Sequence, residues 1–165
     1  MVWLKRIVTI ALLGFVGVSV GTLVAQEVGR RAAPVQAVQL IPLASDLASS
    51  DGPCRIIVCY FHNTERCATC LAIEDAARET VETAFADDLA AGRVTWLSLD
   101  MEQPENRPYI DQFDLAMPTL VVIRLAGLSI ERWTALGETW GYIRSPVRFS
   151  MYVGDALRAV MEGCE

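Results

Sequence analysis

Cys67 and Cys70, in the stretch FHNTERCATC at residues 61–70, are the side chains of this chain best suited to covalent chemistry. A Cys-x-x-Cys pair serves either as half of a zinc site or as a dithiol that cycles with its disulfide. Structural zinc needs four ligands, commonly from two such pairs. The other cysteines, Cys54, Cys59 and Cys164, are isolated from one another, and the single histidine is His62. No metal site is therefore expected. A purely structural Cys67–Cys70 disulfide stays open as the simplest alternative to a redox couple.

Disulfide exchange asks for geometry as well as spacing. At the start of a helix, unpaired backbone N–H groups and the positive end of the dipole stabilise a thiolate. Cys67 is expected at that position, with Cys70 one turn on and facing the same way, able to resolve a mixed disulfide. Arg66 adds a positive charge beside Cys67. Each such effect stabilises the reduced form and makes the disulfide more oxidising. His62 and Glu65, in the approach loop, are candidate accessory groups for proton handling.

The elements that must hold these residues follow from the apolar pattern. Ile56-Ile57-Val58-Cys59-Tyr60-Phe61 is a β-branched and aromatic run that predicts a buried strand. From Cys70, apolar residues recur at three- and four-residue steps through Ile73, Ala77, Val81, Ala84 and Phe85. This spacing predicts a helix with Glu74, Asp75, Glu79 and Glu82 on its other faces and a stop near Gly92. Residues 94–99 form a second strand closed by Asp100. A short helix is expected over residues 104–113, since proline is tolerated in a first turn. Strands over 119–125 and 129–133 meet at a turn around Gly127, and a helix over about 147–161 closes the chain. The order β-α-β-α-β-β-α predicts an α/β fold, a mixed sheet with helices on both faces.

The strand, Cys-x-x-Cys and helix, followed by Met117-Pro118-Thr119 and an apolar strand ending at Gly127, resemble the thioredoxin superfamily over about residues 54–163. The resemblance implies a thioredoxin-like fold, a cis Met117–Pro118 bond beside the active-site disulfide, and a Met117 backbone able to pair with a bound substrate strand. It departs from thioredoxin in having Arg-Cys-Ala-Thr-Cys for Trp-Cys-Gly-Pro-Cys. It also places Cys59, expected as a small buried hydrophobe, where thioredoxin carries a buried aspartate. Tyr60-Phe61-His62, Arg66 to Glu74 and Pro104-Glu105-Asn106 look narrower still. They are similar to exported thioredoxin-like proteins of bacterial arsenic-resistance clusters, labelled nitrophenyl compound nitroreductase subunits. With no flavin or nicotinamide fingerprint in the chain, no cofactor is expected, and electron supply to a partner is the more economical role.

The chain has 165 residues, 53% of them hydrophobic, and the excess lies at the start. Residues 7–25 carry no charge and follow Lys5-Arg6. As a helix they would run nearly the ~30 Å of a bilayer core. Cleavage after Ala25 would leave Leu23 at a position that favours a small residue, so an uncleaved signal anchor is the leading expectation and a cleaved signal the alternative. Lys5 and Arg6 favour a cytoplasmic N-terminus. The expected organisation is a transmembrane helix over 1–25, a linker over 26–52 with a short strand near 38–41, and the thioredoxin-like domain over 53–165. In a bacterium this places the chain in the inner membrane as a single pass, with the dithiol in the periplasm, where disulfides persist.

The net charge of −6 argues against a nucleic-acid partner. Gly17 and Gly21 give a small-xxx-small pattern compatible with a homodimer. A protein thiol or disulfide is the expected partner. Two other readings compete with the oxidoreductase: a thiolate clamp for Cu(I) or arsenite, and a redox-inactive interaction domain. Cys54 and Cys164 are left to pair with each other or with another protein, and an odd cysteine count leaves at least one thiol over.

Overall fold

The computed structural model describes residues 3, 54–127 and 129–164. The expected anchor, linker and strand near 38–41 lie outside the described residues, Trp3 apart. Among the described residues no helix is long and apolar enough to cross a membrane.

The described elements run β1 (Arg55–His62), α1 (Ala68–Ala84), α2 (Ala86–Ala90), β2 (Val94–Asp100), α3 (Pro108–Gln112), β3 (Thr119–Ala126), β4 (Ser129–Ala135), α4 (Thr139–Tyr142) and α5 (Pro146–Met161). The sheet order is β2-β1-β3-β4. β1 and β2 are parallel and linked through α1 and α2, while β1–β3 and β3–β4 are antiparallel. The mixed sheet expected from the sequence is present.

β1 explains its own composition. It is central, and both its faces are covered, so it needs apolar residues at successive positions rather than at alternate ones. Ile56, Val58 and Tyr60 pack with Ile73, Ala77 and Val81 of α1 and with Val153 and Leu157 of α5. Ile57, Cys59 and Phe61 face the other way, into Tyr109, Phe113, Leu115, Val121 and Ile123. Cys59 is fully buried there as a free thiol, and burial pushes its pKa well up. It acts as a small hydrophobe on the face away from α1.

Two boundaries differ from expectation. The helix expected over 104–113 begins instead at Pro108, which takes the first helical turn while Pro104 lies in a run of turns. That run is held by Asn106, whose Nδ2 donates to the Asp100 carbonyl at 2.8 Å. The helix after Cys67 breaks at Phe85, whose φ of −131° and ψ of 30° leave the helical region and turn the chain into α2. Phe85 is buried, so its ring packs in the core at the cost of helix continuity. The single turn α4 has no counterpart in the sequence reading.

Cys54, just before β1, and Cys164, just after α5, form a disulfide with Cα atoms 5.4 Å apart, closing a span of 110 residues. Of the two partners left open for these thiols, the pairing is with each other. Arg124 of β3 reinforces the clasp by donating to the carbonyls of Glu162 and Gly163.

Candidate dithiol site

Cys67 is the N-cap of α1, with an extended backbone of φ −79° and ψ 156°. Its Sγ accepts a hydrogen bond from the Cys70 N–H at 3.0 Å, and its carbonyl accepts the Leu71 N–H at 3.0 Å. A sulfur in the capping position meets the backbone donors that a helix start leaves unpaired. The first turn of α1 holds no acidic residue, so nothing within it opposes a thiolate. Cys67 and Cys70 form a disulfide with Cα atoms 5.0 Å apart. Cys67 is exposed, whereas Cys70 is buried at 6%. That asymmetry gives one sulfur to incoming groups and shields the other.

Beneath this turn lies Tyr60 of β1. Its buried hydroxyl donates to the Cys70 carbonyl at 3.0 Å, fixing the start of α1 to the sheet. Burial pushes the Tyr60 phenol up, partly offset by the Arg66 charge, and so keeps it a donor at neutral pH. Tyr60, and not Cys59, is thus the β1 side chain that reaches Cys70.

The approach loop from His62 to Arg66 is fastened to the turn after β2. Thr64 donates from its hydroxyl to Asp100 Oδ2 at 2.7 Å and from its N–H to Glu102 Oε2 at 2.9 Å. Gln103 Nε2 and the Glu102 N–H also donate to the Asp100 carboxylate. The Thr64 and Gln103 bonds, with lesser help from the Glu102 N–H and the charge of His62, hold the Asp100 carboxyl below its usual range. In sequence Asp100 marks only a strand terminus; the loop it anchors is distant in sequence and carries no motif.

Of the candidate accessory residues, Glu65 is exposed and His62 is half-buried. His62 Nδ1 lies 2.9 Å from the Asn63 carbonyl; a carbonyl only accepts, so this contact needs the proton on Nδ1. Among the described residues neither His62 nor Glu65 hydrogen-bonds Cys67 or Cys70. Arg66 turns to α1 and pairs with Glu74. Glu74, expected on a solvated face, is 5% exposed. The signal was present: 70, 74, 77 and 81 share the helical stripe that Cys70, Ala77 and Val81 bury.

Met117 and Pro118 immediately precede β3, whose Thr119 pairs with Phe61 near the end of β1. Both therefore lie at the end of the central strands from which the loop to Cys67 departs. Met117 is 47% exposed and Pro118 half-buried. The expected cis bond is not found: among the described residues no peptide bond is cis. The trans isomer is the intrinsically favoured one for X-Pro, and the carbonyls around the ring are satisfied in it. Met117 accepts from Thr119 Oγ1 at 2.7 Å and Pro118 from Trp140 Nε1 at 2.9 Å. That second bond gives α4 its place in the site.

The arrangement defines a protein with an asymmetric dithiol at a helix start on a mixed α/β sheet. No protein-family model matches the chain, and no curated protein is similar to it at a meaningful level. Among solved structures it is similar to thioredoxin O2 of Arabidopsis thaliana in its oxidised state, at 20% identity and a TM-score of 0.40, over 74% of this chain and 85% of that one. A thioredoxin from Thermus thermophilus is similar at 16% identity and a TM-score of 0.40, over 74% and 83% of the two chains. Fasciola hepatica thioredoxin is similar at 20% identity and a TM-score of 0.33, over 67% and 90%.

Proposed function

We propose that this protein is a thiol–disulfide oxidoreductase of thioredoxin type. The observation that carries the reading is the pairing of an exposed, helix-capping Cys67 with a buried Cys70 one turn later. In the reducing direction, the Cys67 thiolate attacks a partner disulfide, forming a mixed disulfide and releasing one partner thiolate. The Cys70 thiolate then attacks Cys67 Sγ, closing the Cys67–Cys70 disulfide and releasing the second partner thiolate. Two electrons pass from the dithiol to the partner, whose thiolates take up the two protons that Cys67 and Cys70 gave up. An external dithiol donor restores the reduced pair by the reverse steps, and the oxidising direction is the same sequence read backwards. Met117 and Pro118 flank the site as the docking edge.

The uncharged stretch over 7–25 and the Cys54–Cys164 clasp support an anchored protein whose dithiol faces an oxidising compartment such as the bacterial periplasm. Supply of electrons to a partner protein there follows from the resemblance to exported thioredoxin-like proteins of arsenic-resistance clusters. The deciding experiment is equilibration of the full chain in glutathione buffers, with insulin reduction followed alongside. A Cys67–Cys70 potential below about −300 mV, where structural disulfides lie, together with no turnover, would overturn the reading. Tight arsenite or Cu(I) binding without exchange would replace it with the clamp.

A further inference from the structure

The Cys67–Cys70 pair has a charged neighbour that the exchange reaction itself does not use. Glu74 stands one helical turn beyond Cys70, a spacing that brings side chains on a helix face together. Its carboxylate is divided between two cations: one oxygen pairs with Arg66 and the other with Arg78 at 3.0 Å. Arg66 directly precedes Cys67 in the chain, and Arg78 lies over the Trp96 ring at 5.7 Å from its centroid. The Nε atoms of Arg66 and Arg78 are buried without a hydrogen-bond partner, so the two guanidiniums share this one carboxylate and the trio carries a net +1.

We propose that Glu74 is a positioning residue for disulfide exchange: it draws the Arg66 guanidinium onto α1, offsets its charge beside Cys67, and so holds the couple toward the reducing side. The inference rests on the exchange function proposed above. An unpaired Arg66 would stabilise the Cys67 thiolate, and with it the reduced form, making the disulfide a stronger oxidant. A buried carboxylate on the same trio opposes that effect. The remaining ionisable groups around the turn do not replace it. Tyr60 stays neutral beneath Cys70, His62 and Glu65 make no bond to either cysteine, and Asp75 is exposed to water.

The test uses the full chain as wild type, E74Q, R66Q and the R66Q/E74Q double variant. Two quantities are read: the acidity of Cys67 in the reduced protein, from the pH profile of iodoacetamide alkylation, and the equilibrium constant with glutathione. E74Q leaves the trio at +2 and is expected to raise Cys67 acidity and shift the equilibrium to the oxidising side, each on the order of tenfold. R66Q leaves it at zero and is expected to shift both the opposite way; its partly exposed side chain makes it the variant that keeps its fold if E74Q does not. The double variant is expected to return near wild type. Shifts of the same sign in E74Q and R66Q, no shift in either, or a double variant as far displaced as E74Q would overturn the proposal. Because Cys67 acidity needs no turnover, these results stand apart from those of the insulin assay, whose failure in the wild type would remove the oxidoreductase reading instead.

Discussion

Replacing the Cys54–Cys164 clasp by C54S/C164S should destabilise the folded domain by an amount that can be worked from its place in the chain. The bridge closes 110 residues. If it acts by restricting the unfolded chain, a loop of that length contributes about 5 kcal/mol at 25 °C. Unfolding entropy near ~2 cal/mol/K per residue gives a domain of this size roughly 0.2 kcal/mol per degree, so the loss corresponds to a fall in Tm of about 25 °C. Changing both cysteines together avoids a stray thiol that would reshuffle with Cys67. The assay is thermal and urea denaturation of the full chain, oxidised, with and without the substitutions. A second readout checks the pairing: unreduced wild type, once denatured, should expose one reactive thiol, Cys59, and mild reduction of the folded protein before denaturation should raise the number to three as the Cys67–Cys70 pair opens first. A fall in Tm below about 5 °C, with the thiol count confirming the bridge, would refute loop closure as the source of its stabilisation.

C70S should accumulate a mixed disulfide with partner protein at Cys67, detected by mass spectrometry, whereas C67S should accumulate none; adducts at Cys70 in C67S would reverse the assignment of attacking and resolving sulfurs. Y60F removes the donor to the buried Cys70 carbonyl and is expected to cost about 1–3 kcal/mol, read from the urea midpoint; an unchanged midpoint would mean the bond contributes nothing net. Asp100 sets a pH dependence. Its folded pKa is depressed by the Thr64 and Gln103 bonds, so its hold on the approach loop is complete above the unfolded value near ~4 and is lost as pH falls through the lower folded value. Amide exchange across residues 62–66, corrected for intrinsic rates, should therefore be equally protected at pH 5 and 7 and lose protection toward pH 2; equal protection at pH 2 and 7 would contradict this.

What the sequence could and could not convey follows from the range of each interaction. The strands over 56–61 and 119–125 were legible because burial on both faces of the sheet writes itself as a near-continuous apolar run, whereas the edge strand over 94–99, half-buried for most of its length, mixes Thr95 and Ser98 among its apolar residues. The helix start at Cys67 was legible because capping is local. Glu74 was misassigned because a carboxylate on the apolar stripe is tolerated only through Arg66 and Arg78, a compensation that helical periodicity does not contain. While the Cys54–Cys164 pairing stayed one of two alternatives, Asp100 and Trp140 were out of reach for another reason. Each acts across a separation set by the sheet, from Asp100 to Thr64 and from Trp140 to Pro118. The proline geometry differs from the resemblance because the carbonyls of Met117 and Pro118 are satisfied by this chain's own donors with the bond trans.

The two disulfides of this domain invite opposite fates, and their surroundings say why. Reduction of Cys67–Cys70 yields a thiolate at the positive end of a 17-residue helix, where the Cys70 N–H already donates to its sulfur, so the reduced state is stabilised and the bridge labile. Reduction of Cys54–Cys164 yields a thiolate just past the negative end of α5, beside Glu162, with the Arg124 guanidinium committed to two carbonyls and Glu131. The backbone dipole there disfavours negative charge, and opening the bridge also frees 110 residues of chain. A reductant poised to cycle the first bridge would therefore leave the second closed. The proposed exchange function needs this separation: without it, the protein would lose its clasp each time the Cys67–Cys70 pair was reduced.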